Sequence, residues 1–491
     1  MTYVSHKVLN YSYRLILIQY MDYTDITVQM ALVAFLAVFT LIRQRSKIAM
    51  MLYVIAFNLF FAYKLNGALM WLLPATACFN YALTQEMKTR EGAARKALLS
   101  LLVVVDLGVL GYFKYASFFM NDVIGAMLST NFSFASIALP VGISFYTFQA
   151  ISYAVDVYRR RFDGDATLLE FMFYLTFFPL LLAGPITRAK NLIPRLRRNE
   201  QASSRMVWVG LWLIMLGVVK KNMLADYIGQ FTSWVFDGPQ GFSGFECAAA
   251  LVGYPVQIYL DFSGYSDLSI GTAAILGFWL PDNFWFPYRS LSLTDFWRRW
   301  HISLSTWFRD YLYIPLGGNR RGTVRMYVNN IITMLVAGLW HGASWMFVIW
   351  GALHGLGLAI HKFFSRQLHF SFPSTLWGNA ISWTLTYVYV CFAWSFFRAK
   401  DMAHLTDLYN KIAADFSMDY LVPFFNARTM WTVSVIAVML TYFVSERQYQ
   451  RLQARFVTLP WAVKLVLFIV CMQMALQMAT EDVQPFIYGG F

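Results

Sequence analysis

The sequence predicts an all-α, polytopic integral membrane protein, and three observations carry that prediction. Of the 491 residues, 58% are hydrophobic and 13% are charged, against roughly 25% charged in soluble globular chains. Apolar stretches recur from one end to the other, many of 15 to 22 residues, near the length that crosses a ~30 Å hydrocarbon core as a helix. Basic residues gather at the ends of these stretches: Arg43, Arg45 and Lys47; Lys88, Arg90, Arg95 and Lys96; Arg159 to Arg161; Arg447, Arg451 and Arg455. That is how the positive-inside rule marks cytoplasmic loops. The same clustering turns the net charge of +13 away from nucleic acid and toward a membrane surface.

Apolar segments fall at 26–42, 48–63, 67–85, 97–113, 140–158, 168–186, 206–219, 245–262, 264–281, 327–345, 346–361, 376–397, 429–444 and 458–479. With each basic cluster in the cytoplasm the first five alternate across the membrane. Alternation fails at 168–186, where both flanks are basic and Pro179 and Gly184-Pro185 interrupt the helix. A broken or re-entrant helix beside a cavity resolves both facts, because non-helical backbone at that depth needs protein or water around it. Residues 401–413, DMAHLTDLYNKIA, read as an amphipathic helix at an interface. No soluble domain is inserted and no internal repeat is found, so 1–491 reads as one transmembrane domain.

Near the N-terminus, the apolar run after Arg14 is too short for a signal-peptide core and is interrupted by Asp22 and Asp25. Insertion is expected to start with 26–42. The four cysteines, Cys78, Cys247, Cys391 and Cys471, form no CxxC pair, and buried thiols are expected rather than disulfides or zinc ligands. No HExxH spacing occurs, so no metal site is expected.

Two histidines stand out. In LTDFWRRWHISLSTWFRDYLYIPLGGNRRG (293–322), a helix is expected to start at Thr294–Asp295 and stop at Pro315 and Gly317-Gly318. At 100° per residue, Trp297, Trp300, His301, Leu304, Phe308, Tyr311 and Leu312 share one face of that helix, with the charges opposite. In VAGLWHGASW (336–345), His341 follows Trp340 and lies among Ala337, Gly338, Gly342, Ala343 and Ser344. Ionisable groups at membrane depth line interior paths, and imidazole can be neutral near pH 7 and still take a proton. Small neighbours leave room for a reaction centre, or serve close helix packing of the small-xxx-small kind.

Other polar positions carry weaker signals. His354 and His361 lie seven apart on the next helix, where His354 suits a proton path, and His6, His369 and His404 read as surface residues. Gln257, Asp261 and Asp267 interrupt an apolar segment and need partners, which the arginines of 298–325 or the histidines can supply. Arg320 and Arg321 in LGGNRRG suit an anionic ligand or a solvated turn. With no GxSxG elbow and no evident nucleophile, general-base catalysis by His341 is the simpler chemistry.

The segments PVGISFYTFQAISYAVDVYR (140–159), YPVQIYLDFSGYSDLSIG (254–271), NFWFPYRSLSLTDFWRRWHISLSTWFRDYLYIPLGGNRRG (283–322) and LWHGASWMFVIWGALHG (339–355) closely resemble the membrane-bound O-acyltransferase family. The likeness runs from about residue 48 onward, has its signature core at 254–355, and is nearest to the bacterial branch of alginate and peptidoglycan O-acetyltransferases, which includes the teichoic-acid D-alanylation protein.

The resemblance implies a bundle of about eleven spanning helices with re-entrant and interfacial ones, tunnelled from the cytoplasm to the outer face of a bacterial inner membrane. It puts the catalytic histidine on His341 and the second signature histidine on His301. Trp297, Trp300, Ser303, Trp340, Asp261, Gln257, Arg320 and Arg321 become supporting or donor-path residues. It implies no resident cofactor, a cytoplasmic donor such as acetyl-CoA or a carrier-protein thioester, a polysaccharide acceptor and an extracytoplasmic partner of the SGNH-hydrolase type. The ending PFIYGGF departs from the more aromatic finish the family leads one to expect. A transporter or flippase of an acylated glycan or lipid, and D-alanyl transfer from a carrier protein, are the competing readings.

Overall fold

A computed structural model describes residues 26–128, 134–135, 137–181 and 184–478. The features at Arg14 to Asp25, His6 and the PFIYGGF ending therefore lie outside the described residues. Within them the regular structure is helical throughout, without strands. The chain forms two compact units, 1–214 with 268–281, and 215–267 with 282–491.

The first unit is built from α1 (Ile26–Arg45), α2 (Lys47–Asn66), α3 (Leu72–Thr89), α4 (Gly92–Phe118), α5 (Ile143–Tyr158), α6 (Leu168–Thr176) and α7 (Ala189–Arg198), followed by the start of α8 (Ser204–Val218). Helix α3 packs on α4, α5 and α6, while α2 packs on α1 and α6. The basic clusters meet one another here. Arg43 donates to the carbonyls of Leu276 and Glu200, and Lys47 to that of Arg197. Lys88 reaches the Gly164 carbonyl, Arg95 the Val157 and Tyr158 carbonyls, and Arg197 pairs with Asp165 and Glu170. Loops marked as cytoplasmic by their charge thus share one end of the unit.

The expected break in 168–186 is present. Helix α6 stops at Thr176, a single turn covers Phe178–Leu181, and the chain is non-helical through 184–188. The exposed amides are paired by protein. Asn58 on α2 accepts from the Phe178 N–H at 3.1 Å and donates to Thr176 Oγ1 at 3.1 Å. Tyr174 donates to the Thr187 carbonyl, and Ser269 to the Pro179 carbonyl. A small pocket lined by Asn66, Met70, Pro140, Tyr146 and Leu181 lies against this break.

The second unit continues through α9 (Asp226–Asp237), most of α10 (Gly244–Ile275), α11 (Leu293–Arg299), α12 (Ile302–Phe308), α13 (Thr323–His341), α14 (Trp345–Arg366), α15 (Leu376–Arg398), α16 (Met402–Asp415), α17 (Thr429–Thr441), α18 (Glu446–Thr458) and α19 (Trp461–Met478). The interfacial helix expected at 401–413 is α16. Two segments expected at 245–262 and 264–281 are one 32-residue helix, α10. The helix runs through Gly264, which packs closely on the Gly217 carbonyl and on Lys221.

The polar stretch of α10 is matched by a π-helical turn, Val219–Ala225 (VKKNMLA). Its extra residue per turn turns two successive lysines onto carboxylates. Lys221 Nζ lies 2.7 Å from Asp261 and 2.6 Å from Asp226, and Lys220 Nζ lies 2.7 Å from Asp267. The partners of Asp261 and Asp267 are thus lysines of this turn and not the arginines of 298–325 or the histidines.

Six helical stretches among the described residues are long and apolar enough to cross a membrane, and the pair Met418–Ala427 and Thr429–Thr441, bent by 100°, makes a seventh if taken as one. One prediction follows from the lysine turn. Lys221→Met leaves Asp261 buried without its cation, so the thermal midpoint in detergent falls, at about 3–5 kcal/mol of lost stability. Adding Asp261→Asn should recover part of the loss, as read by fluorescence-detected size exclusion after heating.

Candidate active site

Helix α13 ends on His341. Gly342 then turns into extended backbone, and Ser344 starts α14 by accepting from the Met346 N–H at 3.2 Å. The last turn of a helix favours a group able to become cationic, and the tight connection folds α14 back along α13. The His341 imidazole is 3% exposed. Three aromatic rings stand edge-on around it: Trp340 at 5.0 Å, Trp350 of α14 at 5.0 Å, and Phe397 of α15 at 5.2 Å.

The small residues beside His341 do not clear a vestibule. A Cβ on Gly338 would land on the Phe347 carbonyl, and one on Gly351 would land on the Met334 carbonyl. They let the α13 and α14 backbones touch. The space next to Gly342 is filled by the Phe347 ring. For Gly338 and Gly342 the structure shows close packing.

His301 is reached differently from the sequence expectation. Residues 293–312 do not form one helix. The chain breaks at Trp300, where backbone is extended, and at His301, whose φ of +42° lies in the left-handed region. The break forms because Phe296 and Trp300 bury their rings among Tyr288, Phe284 and Trp394 while Asn283 claims the next turn. The shared face drawn for Trp297, Trp300 and His301 therefore does not exist as a helical stripe. Trp300 is buried in that aromatic core, and Trp297 instead meets Trp350 at 5.8 Å and His354 at 5.1 Å.

The His301 ring is fully buried. It stands 4.6 Å from Phe262, edge-on, and 6.0 Å from Trp340. Since Trp340 also contacts His341, one indole links the two histidines. His301 Nδ1 lies 3.0 Å from Asn283 Oδ1, and Ser303 Oγ donates to that same oxygen at 2.9 Å.

The remaining predicted positions fall into other surroundings. Asp261 belongs to the lysine turn, and Gln257 accepts from Thr232 Oγ1 on α9. Arg320 and Arg321 are exposed just ahead of α13, whose 19 residues put them roughly 28 Å from His341 at 1.5 Å per residue. Asn283, Trp350 and Phe397 line the site without a sequence signal strong enough to mark them, and His354, whose place in the sequence suits a proton path, lies beside them. For Trp350 the signal was available in part: it follows His341 closely, in the first turns of the next helix. His354 is fully buried against Trp350 and Trp297, and no group of His, Cys, Asp or Glu among the described residues could hold a metal ion. Chemically, the arrangement offers two buried imidazoles in an aromatic nest, suited to moving a proton where water is excluded.

Residues 92–400, which include both histidines, match the MBOAT, membrane-bound O-acyltransferase family. The chain is 43% identical over 316 residues to the probable alginate O-acetylase AlgI of Pseudomonas aeruginosa, a stretch covering 64% of this chain and 59% of that protein. It is 39% identical over 379 residues to the probable alginate O-acetylase AlgI of Azotobacter vinelandii, covering 76% and 74%. To the peptidoglycan O-acetyltransferase of Helicobacter pylori it is 34% identical over 381 residues, covering 72% and 71%.

The packing of α13 on α14 predicts that Gly338→Leu disrupts folding before it touches chemistry. The yield of monodisperse protein on size exclusion should drop sharply, whereas Ala343→Ser, in the turn, should leave it near the parent's.

Proposed function

Because the chain belongs to the membrane-bound O-acyltransferase family, and is a multi-pass membrane protein by its apolar helices, we propose that it moves an acetyl group from a cytoplasmic thioester to hydroxyls of a polysaccharide at the outer face of a bacterial inner membrane. The observation that carries this reading is the joining of His341 and His301 through Trp340 inside a buried aromatic nest. His341 takes the proton of an acceptor hydroxyl as that oxygen attacks the thioester carbonyl. The carbon–sulfur bond breaks, the new ester forms, and the proton passes to the departing thiolate. His301 lines the donor side and orients the thioester, with Trp300 in the aromatic core beside it and Trp297 against Trp350 and His354.

The donor is acetyl-CoA, arriving as substrate rather than as a resident cofactor; the acceptor is an alginate-like or cell-wall glycan, and an extracytoplasmic partner of the SGNH-hydrolase type works beside the chain at the outer face. Acetyl is favoured over D-alanyl by the names of the relatives with identities of 34–43%. The ring of His341 is closed in as described, so the reactants reach it by displacing side chains at its edge, with Phe347 and Phe397, 5.0 Å apart, the pair whose rotation opens it. About eleven crossings, re-entrant segments included, belong to the same reading.

Two variants test it. The purified protein in liposomes is given acetyl-CoA labelled in the acetyl group and an uncharged or uronate oligosaccharide on the opposite side. His341→Ala should fall to background, at least about a hundredfold, with size-exclusion behaviour unchanged; normal transfer by that variant ends the reading. His301→Ala should lose less, and an equally dead variant would move His301 to the centre of the chemistry. Uptake of label without any transfer or hydrolysis would favour a transporter instead, and label from a D-alanyl carrier thioester but not from acetyl-CoA would redirect the donor.

A further inference from the structure

The segment Asn283–Trp285 runs beside the break between α11 and α12 and is tied to it by backbone at both ends. Trp285 N–H donates to the Arg299 carbonyl at 2.9 Å, and Ile302 N–H to the Asn283 carbonyl at 2.8 Å. Between these two bonds the Asn283 side chain, 1% exposed, reaches into the break. Its Oδ1 receives the Ser303 backbone N–H at 3.3 Å and the Ser303 hydroxyl at 2.9 Å, and it faces His301 Nδ1 at 3.0 Å. Its Nδ2 donates to Ser266 Oγ on α10 at 3.0 Å.

The orientation of this amide follows from its partners. A backbone N–H can only donate, so the atom facing Ser303 N is the oxygen, and the nitrogen turns to Ser266. An oxygen facing an imidazole nitrogen requires a proton on that nitrogen. We propose that Asn283 is the positioning residue that holds neutral His301 as its Nδ1–H tautomer, so that Nε2 presents a lone pair to the reactants. This rests on the reading of His301 as a member of the reaction centre, and it narrows what the ring does there. In this tautomer Nε2 is a proton or hydrogen-bond acceptor, for a substrate O–H, S–H or N–H. It is not the donor that would cradle a thioester oxygen as negative charge develops.

The backbone agrees with such a task. A non-glycine residue at φ +42° is held against its preference, and such strain persists where the surroundings fix it, often at working sites. Here the two backbone bonds and the asparagine do the fixing. Orienting partners of an imidazole matter in proportion: their removal lowers activity by roughly tenfold to 10⁴-fold in well-studied cases.

The test measures labelled acetyl transfer by the full-length protein in liposomes for Asn283→Ala, Asn283→Asp, His301→Ala, His341→Ala and the Asn283→Ala/His301→Ala double variant, each checked by size exclusion. Asn283→Ala should lose about tenfold or more, and the double variant should be no worse than His301→Ala, because the asparagine acts through that ring. Asn283→Asp keeps an acceptor for Nδ1–H and adds charge that favours the imidazolium. It should retain more activity than Asn283→Ala, with the acid limb of its pH profile moved to higher pH. If His301→Ala is as active as the parent, the reading of His301 itself fails. If His301→Ala is impaired while Asn283→Ala is not, or if the double variant loses the product of both effects, the positioning role is overturned and that reading stands. Should Asn283→Ala fail to fold, an Asn283→Asp profile identical to the parent's overturns the role in its place.

Discussion

Inside hydrocarbon a peptide chain cannot lean on water, so each amide that leaves a helix has to find its partner in the protein. That requirement organises this molecule. Among the described residues, each compact unit contains a broken helix whose break is covered by an asparagine from a neighbouring element. Asn58 bonds the Phe178 N–H and the Thr176 hydroxyl; Asn283 bonds the Ser303 N–H and faces His301 Nδ1. An amide side chain suits the task because it accepts and donates without carrying charge. In the first unit the covered break is structural. In the second it places an imidazole.

Charge is treated by the same logic. Carboxylates on α10 would be costly in an apolar bundle without cations nearby, and the π-helical turn at Val219–Ala225 sets Lys220 and Lys221 against Asp267, Asp261 and Asp226. These pairs fix how α10 lies against the turn before it and give Asp261 and Asp267 their cations. In the first unit the basic side chains at the helix ends bond carbonyls and carboxylates of neighbouring segments.

Around His341 the walls are aromatic and the neighbours small, and these features serve different ends. Glycines let α13 and α14 touch, which brings Trp350 and Phe397 against the ring. The aromatic edges exclude water from the imidazole and hold its plane. Phe397 stands against the His341 ring, and Phe347 against Phe397.

Much was legible in the residues alone. Apolar length and basic clusters identified the membrane helices, the prolines and glycine of 168–186 marked the broken one, and the amphipathic pattern at 401–413 located α16, because each of these is a local property of the chain. The two histidine motifs were legible as well, being short and unusual. What local pattern could not decide was pairing. A 100° wheel ran straight through Trp300 and His301 because nothing in 293–312 itself announces the break; Asn283, ten residues ahead of that helix, makes it. The apolar segments 245–262 and 264–281 join into one helix, and the partners of Asp261 and Asp267 came from a π turn 40 to 47 residues earlier. Sequence determined which segments are buried and which groups are able to move a proton. Only the tertiary structure decided which of them meet, because a buried polar group is settled by whichever partner the packing brings within 3 Å.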